Sequence, residues 1–169
     1  MHNRQNLSGS AVSRFYSGYY FERRTSQVYR LSLMELVIND ELLRKCGSGS
    51  SEYWFSYKNY NILSISELKD MEKPDDMGQT EFYVSMGIIP FVSVSNEEIM
   101  RAFVKMKGSA KLNAVLQKVH SEDFIETFWK YFNAYPELKE GLDEFANDFI
   151  INKVSEWCEE NNINYKIAK

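Results

Sequence analysis

Residues 121–163 read SEDFIETFWKYFNAYPELKEGLDEFANDFIINKVSEWCEENNI, and this stretch carries the densest helical pattern in the sequence. Apolar residues recur there at steps of three and four, which is the spacing of one helix face. They form two groups: Phe124, Ile125, Phe128, Trp129 and Phe132, then Leu142, Phe145, Phe149, Ile150, Val154, Trp157 and Cys158. The pattern predicts two consecutive helices. We expect their largest rings to be buried: Phe128, Trp129, Phe145, Phe149 and Trp157.

Further helices are predicted upstream by three Ser-x-x-Glu capping boxes, at residues 32–35, 64–67 and 95–98. The first would open a helix running to about Cys46, and the second a short helix that ends before Pro74. Residues 96–107 follow the third box with apolar residues at helical spacing, and another helix follows Gly108 and Ser109. The two helices of residues 121–163 are then capped by Ser121 and opened by Pro136, although Gly141 allows a later start near Leu142.

Strands are predicted between these helices, mainly in the first half of the chain. Residues 27–31 resemble a short strand, residues 53–63 a hairpin, and residues 82–86 and 88–94 two further strands. We therefore predict an α+β fold, with a small antiparallel sheet in the N-terminal half packed against a C-terminal helical layer. Residues 1–13 are predicted to be a disordered tail. Residues 14–169 would form a single α+β domain, sheet-rich at 14–94 and all-helical at 95–163.

Composition limits the classes of function. Of the 169 residues, 44% are hydrophobic and 26% charged, which is typical of a soluble globular protein. The formal net charge of -4 lacks the strongly basic balance of a dedicated nucleic-acid binder. Two cysteines far apart in the sequence favour a reducing, cytoplasmic location over a disulfide framework. We expect neither a signal peptide nor a membrane span, because no apolar run has the required length.

Motifs for catalysis or metal binding are not found in the sequence. The only histidines are His2 and His120, and there is no Walker loop, Gly-x-Ser-x-Gly elbow or His-Glu-x-x-His motif. Cys158 lies on an apolar helix face, and Cys46 has Arg44 and Lys45 beside it but no histidine that can be assigned as its base. We therefore assign no catalytic residue, no cofactor and no metal ligand.

Two surfaces are candidates for binding. Glu140, Glu144 and Asp148 step by four along one predicted helix and would form an acidic docking face, or simply a solvated face with like charges. The second surface is the aromatic and basic segment of residues 14–24. Its rings and arginines would stack on single-stranded nucleic acid, or cover the protein's own core with the arginines reaching solvent. The candidate residues there are Tyr19, Tyr20, Arg23 and Arg24.

Residues 88–165 resemble the C-terminal half of a bacterial uncharacterised protein family. The resemblance is carried by Ile89-Pro90-Phe91, residues 95–99, the cluster of residues 128–132, residues 135–138, Phe145, residues 157–161 and Ile163. It implies no known activity. Residues 53–55, 62–68 and 82–87 of the first half are similar to the SUKH superfamily, whose members include toxin-immunity proteins. Neither resemblance implies catalytic residues.

The leading functional hypothesis is a non-enzymatic, soluble protein-binding module, immunity-like or regulatory, with another protein as its partner. The absence of catalytic motifs, together with abundant rings and segregated charge, favours an interface, although the rings alone would equally fit a core built on them. The alternative is a small enzyme with a site assembled from Tyr, Glu and Arg side chains, since sites are built in three dimensions. The third hypothesis is weak nucleic-acid binding through the aromatic and basic N-terminal segment. Whether the chain forms a homo-oligomer is left open.

Overall fold

The computed structural model describes residues 34–135 and 138–168. The fold is α+β: a small antiparallel sheet from the N-terminal half packs against helices that follow it. The predicted strand at residues 27–31 and the segment at residues 14–24 lie outside the described residues. The division into a tail and a single domain stays a prediction for the same reason. Within the described ranges, no helix is long and apolar enough to cross a membrane.

The first two described elements replace the long helix predicted from residue 32. Strand β1 spans Leu36–Ile38, and helix α1 spans Asp40–Gly47. Leu36 and Ile38 are buried while Val37 is exposed, which is the alternation of a strand. Helix α1 begins only at Asp40 because the side-chain oxygen of Asn39 accepts a hydrogen bond from the backbone N–H of Leu42, at 3.0 Å.

The predicted hairpin is confirmed. Strands β2 (Tyr53–Ser56) and β3 (Asn61–Ser64) pair antiparallel, with Phe55 opposite Ile62. Ser64 then caps the one-turn helix α2 (Ile65–Leu68), where the Glu67 carboxylate accepts the Ser64 backbone N–H at 2.7 Å. The second capping box is therefore present as predicted, although its helix is short.

Residues 82–85 belong to a helix and Met86 to the turn after it, so the predicted strand at residues 82–86 was wrong. Helix α3 spans Gln79–Ser85, and strand β4 spans only Ile88–Pro90, pairing antiparallel with β2. Phe82 and Tyr83 are consecutive and both buried, whereas a strand would send them to opposite faces. Gly87, with φ 73°, turns the chain from the helix into β4.

The helical layer contains four described helices: α4 (Asn96–Lys107), α5 (Ala110–Leu116), α6 (Ser121–Ala134) and α7 (Leu142–Glu160). Ser95 caps α4 as predicted, accepting the Glu98 backbone N–H at 3.2 Å. In α6 the capping position falls on His120, so the predicted cap Ser121 is the first helical residue. Helix α7 starts at Leu142, the later of the two predicted starts. Strand β5 (Tyr165–Ile167), which was not predicted, then pairs parallel with β1.

Among the described residues, the core consists of three apolar clusters. One joins β1, α1, β2 and α7; a second joins α4, α5 and α6; a smaller third joins Trp54 to α2, α3 and β4. Phe145 packs against the first two clusters and so links the sheet side to the helical layer.

Of the five rings predicted to be buried, only Phe128 is fully so, with 0% exposure. Phe145, Phe149 and Trp157 are half-buried. Trp129 is 42% exposed, and its predicted burial was wrong.

Candidate functional site

The three predicted acidic residues are all exposed. Glu144 and Asp148 lie one turn apart on α7, as the four-residue step predicted. Glu140 lies before the helix, because Gly141 adopts a left-handed conformation with φ 83° and the helix begins after it. We name Glu140, Glu144 and Asp148 the acidic surface; it joins a turn to the first two turns of α7.

A groove of about 490 Å³ opens beside the acidic surface, between the second half of α6 and the start of α7. We name it the Trp129 groove. Its α6 wall is aromatic, while its other wall contains both apolar and charged side chains. The lining residues are Trp129, Phe132, Lys139, Gly141, Leu142, Asp143 and Glu144.

Trp129 is exposed because helix α6 has two apolar rows and only one of them meets the core. Phe124 and Phe128 form the buried row, each with 0% exposure. Ile125 and Trp129 form the second row, with 37% and 42% exposure. The Trp129 ring is not loose, since it makes edge contacts with Phe128 and Phe132 at centroid distances of 5.3 and 5.1 Å.

The two rows were visible in the sequence as two sets of residues at helical spacing. Residues 124 and 128 form one set and residues 125, 129 and 132 the other, offset by about 100° around the helix. A stripe of that width is ordinary for a helix packed on a core, so the pattern alone did not indicate that the second row would be exposed.

The carboxylates around the groove are available to a partner. None of the ion pairs between described residues includes Glu140, Asp143, Glu144 or Asp148. Elsewhere on the same helical layer, carboxylates are already paired. The Lys130 ammonium donates to Glu126 at 2.9 Å, and this hydrogen bond lowers the pKa of the Glu126 carboxyl.

The candidate nucleophiles are enclosed in the core. Cys46 and Cys158 both have 0% exposure. Burial raises the pKa of each thiol to about 12, so the thiolate that would react is scarce near neutral pH. His120 is exposed at the start of α6, and no cluster of metal-ligating side chains occurs in the parts of the chain that the structure describes. A site assembled from Tyr, Glu and Arg side chains stays a prediction.

The second predicted surface was Tyr19, Tyr20, Arg23 and Arg24. These residues lie outside the described ranges, so both interpretations of that segment stay predictions. The structure places Glu144 and Asp148 one turn apart on α7, and Glu140 in the segment before that helix. Trp129, Phe132 and Asp143 line the groove with Glu144, although the sequence pattern did not predict them as surface residues.

Comparison with known proteins found no match for this chain among protein-family models, curated proteins or solved structures. The resemblances to a bacterial uncharacterised family and to the SUKH superfamily therefore stay predictions.

Proposed function

We propose that this protein is a non-enzymatic binding module that recognises a basic surface of another protein through the acidic surface, Glu140, Glu144 and Asp148. The observation that carries the proposal is the combination of exposed carboxylates, not engaged by any described cation, with the exposed aromatic wall of the adjacent groove. Protein interfaces are enriched in such rings, with charge arranged around them.

Charge on this surface would act mainly on the rate of association. Like carboxylates one helix turn apart repel each other weakly, and a cationic partner relieves that repulsion when it binds. Exposed charges steer an oppositely charged partner into contact. At 0.1 M ionic strength, salt largely screens this attraction once the charges are more than about 10 Å apart. Binding should therefore weaken as salt is raised.

The role in the cell is either immunity-like or regulatory. An immunity protein neutralises a toxin by covering a functional surface of it, and this requires an interface but no catalytic residue. The predicted resemblance of residues 53–55, 62–68 and 82–87 to the SUKH superfamily supports the immunity-like role. A toxin gene adjacent to the gene for this chain would support it further.

The proposal is tested by affinity capture from the native cell extract with the wild-type chain and a charge-reversed variant. Reversing all three charges, with Glu140→Lys, Glu144→Lys and Asp148→Lys, should abolish capture of the partner. The matched control reverses Glu72, Asp75 and Asp76, which are exposed acids between α2 and α3. It changes the net charge equally and should leave capture intact.

Two results would contradict the proposal. The wild-type chain could capture no protein at low salt, or both charge-reversed variants could retain the same partner as the wild type. Circular dichroism of each variant would confirm that the fold is unchanged before capture is compared.

A further inference from the structure

We infer that the Trp129 groove is the specificity pocket of this interface and that it takes a single arginine side chain of the partner. This inference rests on the proposed function, because it concerns the same edge of the acidic surface. It goes further by naming the group that is recognised and the residues that recognise it.

The aromatic wall of the groove is suited to binding a cation. An indole face attracts a cation more strongly than any other side-chain ring, and a guanidinium can also stack flat on it. Trp129 is 42% exposed yet fixed by edge contacts with Phe128 and Phe132, so its ring is already ordered before a partner arrives. A ring held in place loses little conformational entropy on binding.

The opposite wall of the groove is negatively charged. Asp143 and Glu144 line the groove at the start of α7, and no ion pair between described residues includes either of them. Lys139 is the only basic residue among the described residues that line the groove, so the carboxylates exceed it by one there, and Glu140 adds another beside it. A guanidinium on the indole could donate to a carboxylate through its N–H groups.

The chain itself shows how such a contact is made. The guanidinium carbon of Arg101 lies 3.9 Å from the centre of the Phe124 ring, while the Arg101 Nε donates to Glu97 at 2.8 Å. This contact is made between two residues of the same chain and joins α4 to α6. The Trp129 groove offers the same pair of groups, a ring and a carboxylate, on the surface. Lys139 lines the groove, but no cation among the described residues lies over the Trp129 ring.

The test uses two peptides that differ by one charge. Acetylated and amidated Gly-Ser-Arg-Leu-Gly-Ser is titrated into ¹⁵N-labelled protein, and the control peptide contains citrulline, a neutral isostere of arginine. The arginine peptide should shift the Trp129 indole N–H and the backbone N–H groups of Gly141 and Glu144. The indoles of Trp54 and Trp157 should stay in place, and the Trp129→Phe variant assigns the third indole signal.

Variants of the protein then test the contribution of each wall of the groove to binding. Trp129→Leu removes the ring, and Asp143→Asn with Glu144→Gln removes the charge while keeping the shape. Trp129→Leu should weaken binding of the arginine peptide about two- to fivefold, which is the size expected for a cation over an exposed indole. The double carboxylate variant should also weaken binding, because it removes the charge that the guanidinium meets. Trp129→Phe should fall between the wild type and Trp129→Leu. Glu72→Gln, distant in sequence, should have no effect.

Several outcomes would overturn the inference. The citrulline peptide could bind as well as the arginine peptide, or the shifts could map away from the groove. Trp129 could also shift with protein concentration alone, which would mean that a second copy of the chain occupies the groove. The proposed function is judged separately: if capture of the native partner depends on the acidic surface but is unchanged by Trp129→Leu, the function stands and the inference fails.

Discussion

Arg101 shows how one side chain can hold a connection between helices. Its Nε donates to the Glu97 carboxylate, and its two terminal nitrogens donate to the backbone oxygens of Leu116 (3.0 Å) and Val119 (2.8 Å). Leu116 is the last residue of α5 and Val119 lies three residues beyond it, where carbonyl oxygens have no intrahelical N–H partner. The Leu116 oxygen also accepts the Val119 backbone N–H, at 3.2 Å. The Ser121 hydroxyl donates to the same Glu97 carboxylate, so the start of α6 is joined to α4 as well.

We predict that Arg101→Lys destabilises the fold by about 2 kcal/mol, because an ammonium cannot reach three acceptors in a fixed plane. The free energy of unfolding, measured by urea denaturation, checks this. The control is Arg44→Lys, since Arg44 makes one exposed hydrogen bond to the Asp40 backbone oxygen. Equal effects of the two substitutions would contradict the role given to Arg101.

The two thiols give a second prediction for single residues. Cys46 and Cys158 are the only cysteines, both are fully buried, and burial raises the pKa of each to about 12. At pH 8 only about one thiol in ten thousand would be ionised even if a reagent reached it. Ellman's reagent should therefore label neither cysteine in native buffer and both in denaturant. Rapid labelling of one thiol in the native protein would refute the prediction.

At the scale of elements, capping motifs and apolar periodicity correctly predicted most helices. Local strand propensity, in contrast, predicted a strand at residues 82–86 where the structure has a helix as far as Ser85. The capping signals of α2 and α4 lie where the sequence placed them. Residues 82–86 are rich in strand formers but belong to a helix as far as Ser85, because burying Phe82 and Tyr83 together in the third cluster requires a helical face. Packing against α2 and β4, which the local sequence does not encode, decided the outcome.

Gly141 gives a prediction for the start of α7 and thus for the groove. Its φ of 83° is unfavourable for a residue with a side chain, although a Cβ there would meet no atom within 4 Å. Gly141→Ala should cost about 1–2 kcal/mol more than Gly78→Ala, measured by thermal denaturation. Gly78 is a matched control because it also caps a helix and has open space, but its φ is −68°.

The comparison is informative because the loss of a glycine cap is common to both variants. Only the left-handed conformation differs between them, so equal costs would mean that the backbone at Gly141 relaxes to a conformation that alanine accepts. In that case Glu140 would also change its position relative to Glu144.

At the scale of the whole molecule, the loop between β2 and β3 holds the C-terminal end of the described chain in place. The Tyr57 hydroxyl donates to the Asn161 backbone oxygen at 2.7 Å, and the Tyr60 hydroxyl accepts the Asn164 backbone N–H at 3.1 Å. Both contacts span 104 residues of sequence. They fix the chain where it leaves α7 and enters β5, which then pairs in parallel with β1.

We predict that Tyr57→Phe costs about 1 kcal/mol of stability, because it leaves the Asn161 carbonyl without this donor. Chemical denaturation measures the loss. Tyr131→Phe is the control, since the Tyr131 hydroxyl makes no hydrogen bond to another described residue. A larger loss for Tyr131→Phe would contradict the prediction.

The same tyrosine makes stability depend on alkaline pH. Burial raises the pKa of Tyr57 above its ordinary value near 10, with smaller contributions from Tyr60 and Cys158. A group whose pKa is higher in the folded state stabilises fully below its unfolded pKa, and the effect is lost as pH rises through the folded value. The thiols act in the same direction between about pH 9 and 12. Stability should fall above pH 9, and less steeply in Tyr57→Phe.

The candidate site shows the same division between local and tertiary information. Glu144 and Asp148 could be placed together from their spacing alone, because a helix brings residues four apart to one side. Glu140 could not be separated from them without knowing that α7 starts after Gly141. Trp129 was assigned to the core because its spacing matches that of Phe128, and only packing distinguishes the two rows.

The sequence by itself determined the α+β class, the hairpin of β2 and β3, the caps of α2 and α4 and the helical layer, because these depend on interactions between residues close in the chain. The tertiary structure decided the strands β1 and β5, the helical state of α3 and the exposure of Trp129. The two strands pair with each other from opposite ends of the described chain, and the other two features depend on how helices pack, which local spacing does not encode. Residues 121–163, which carry the strongest helical pattern, are therefore both scaffold and surface: α6 buries Phe124 and Phe128, and its Trp129 and Phe132 form the aromatic wall of the Trp129 groove.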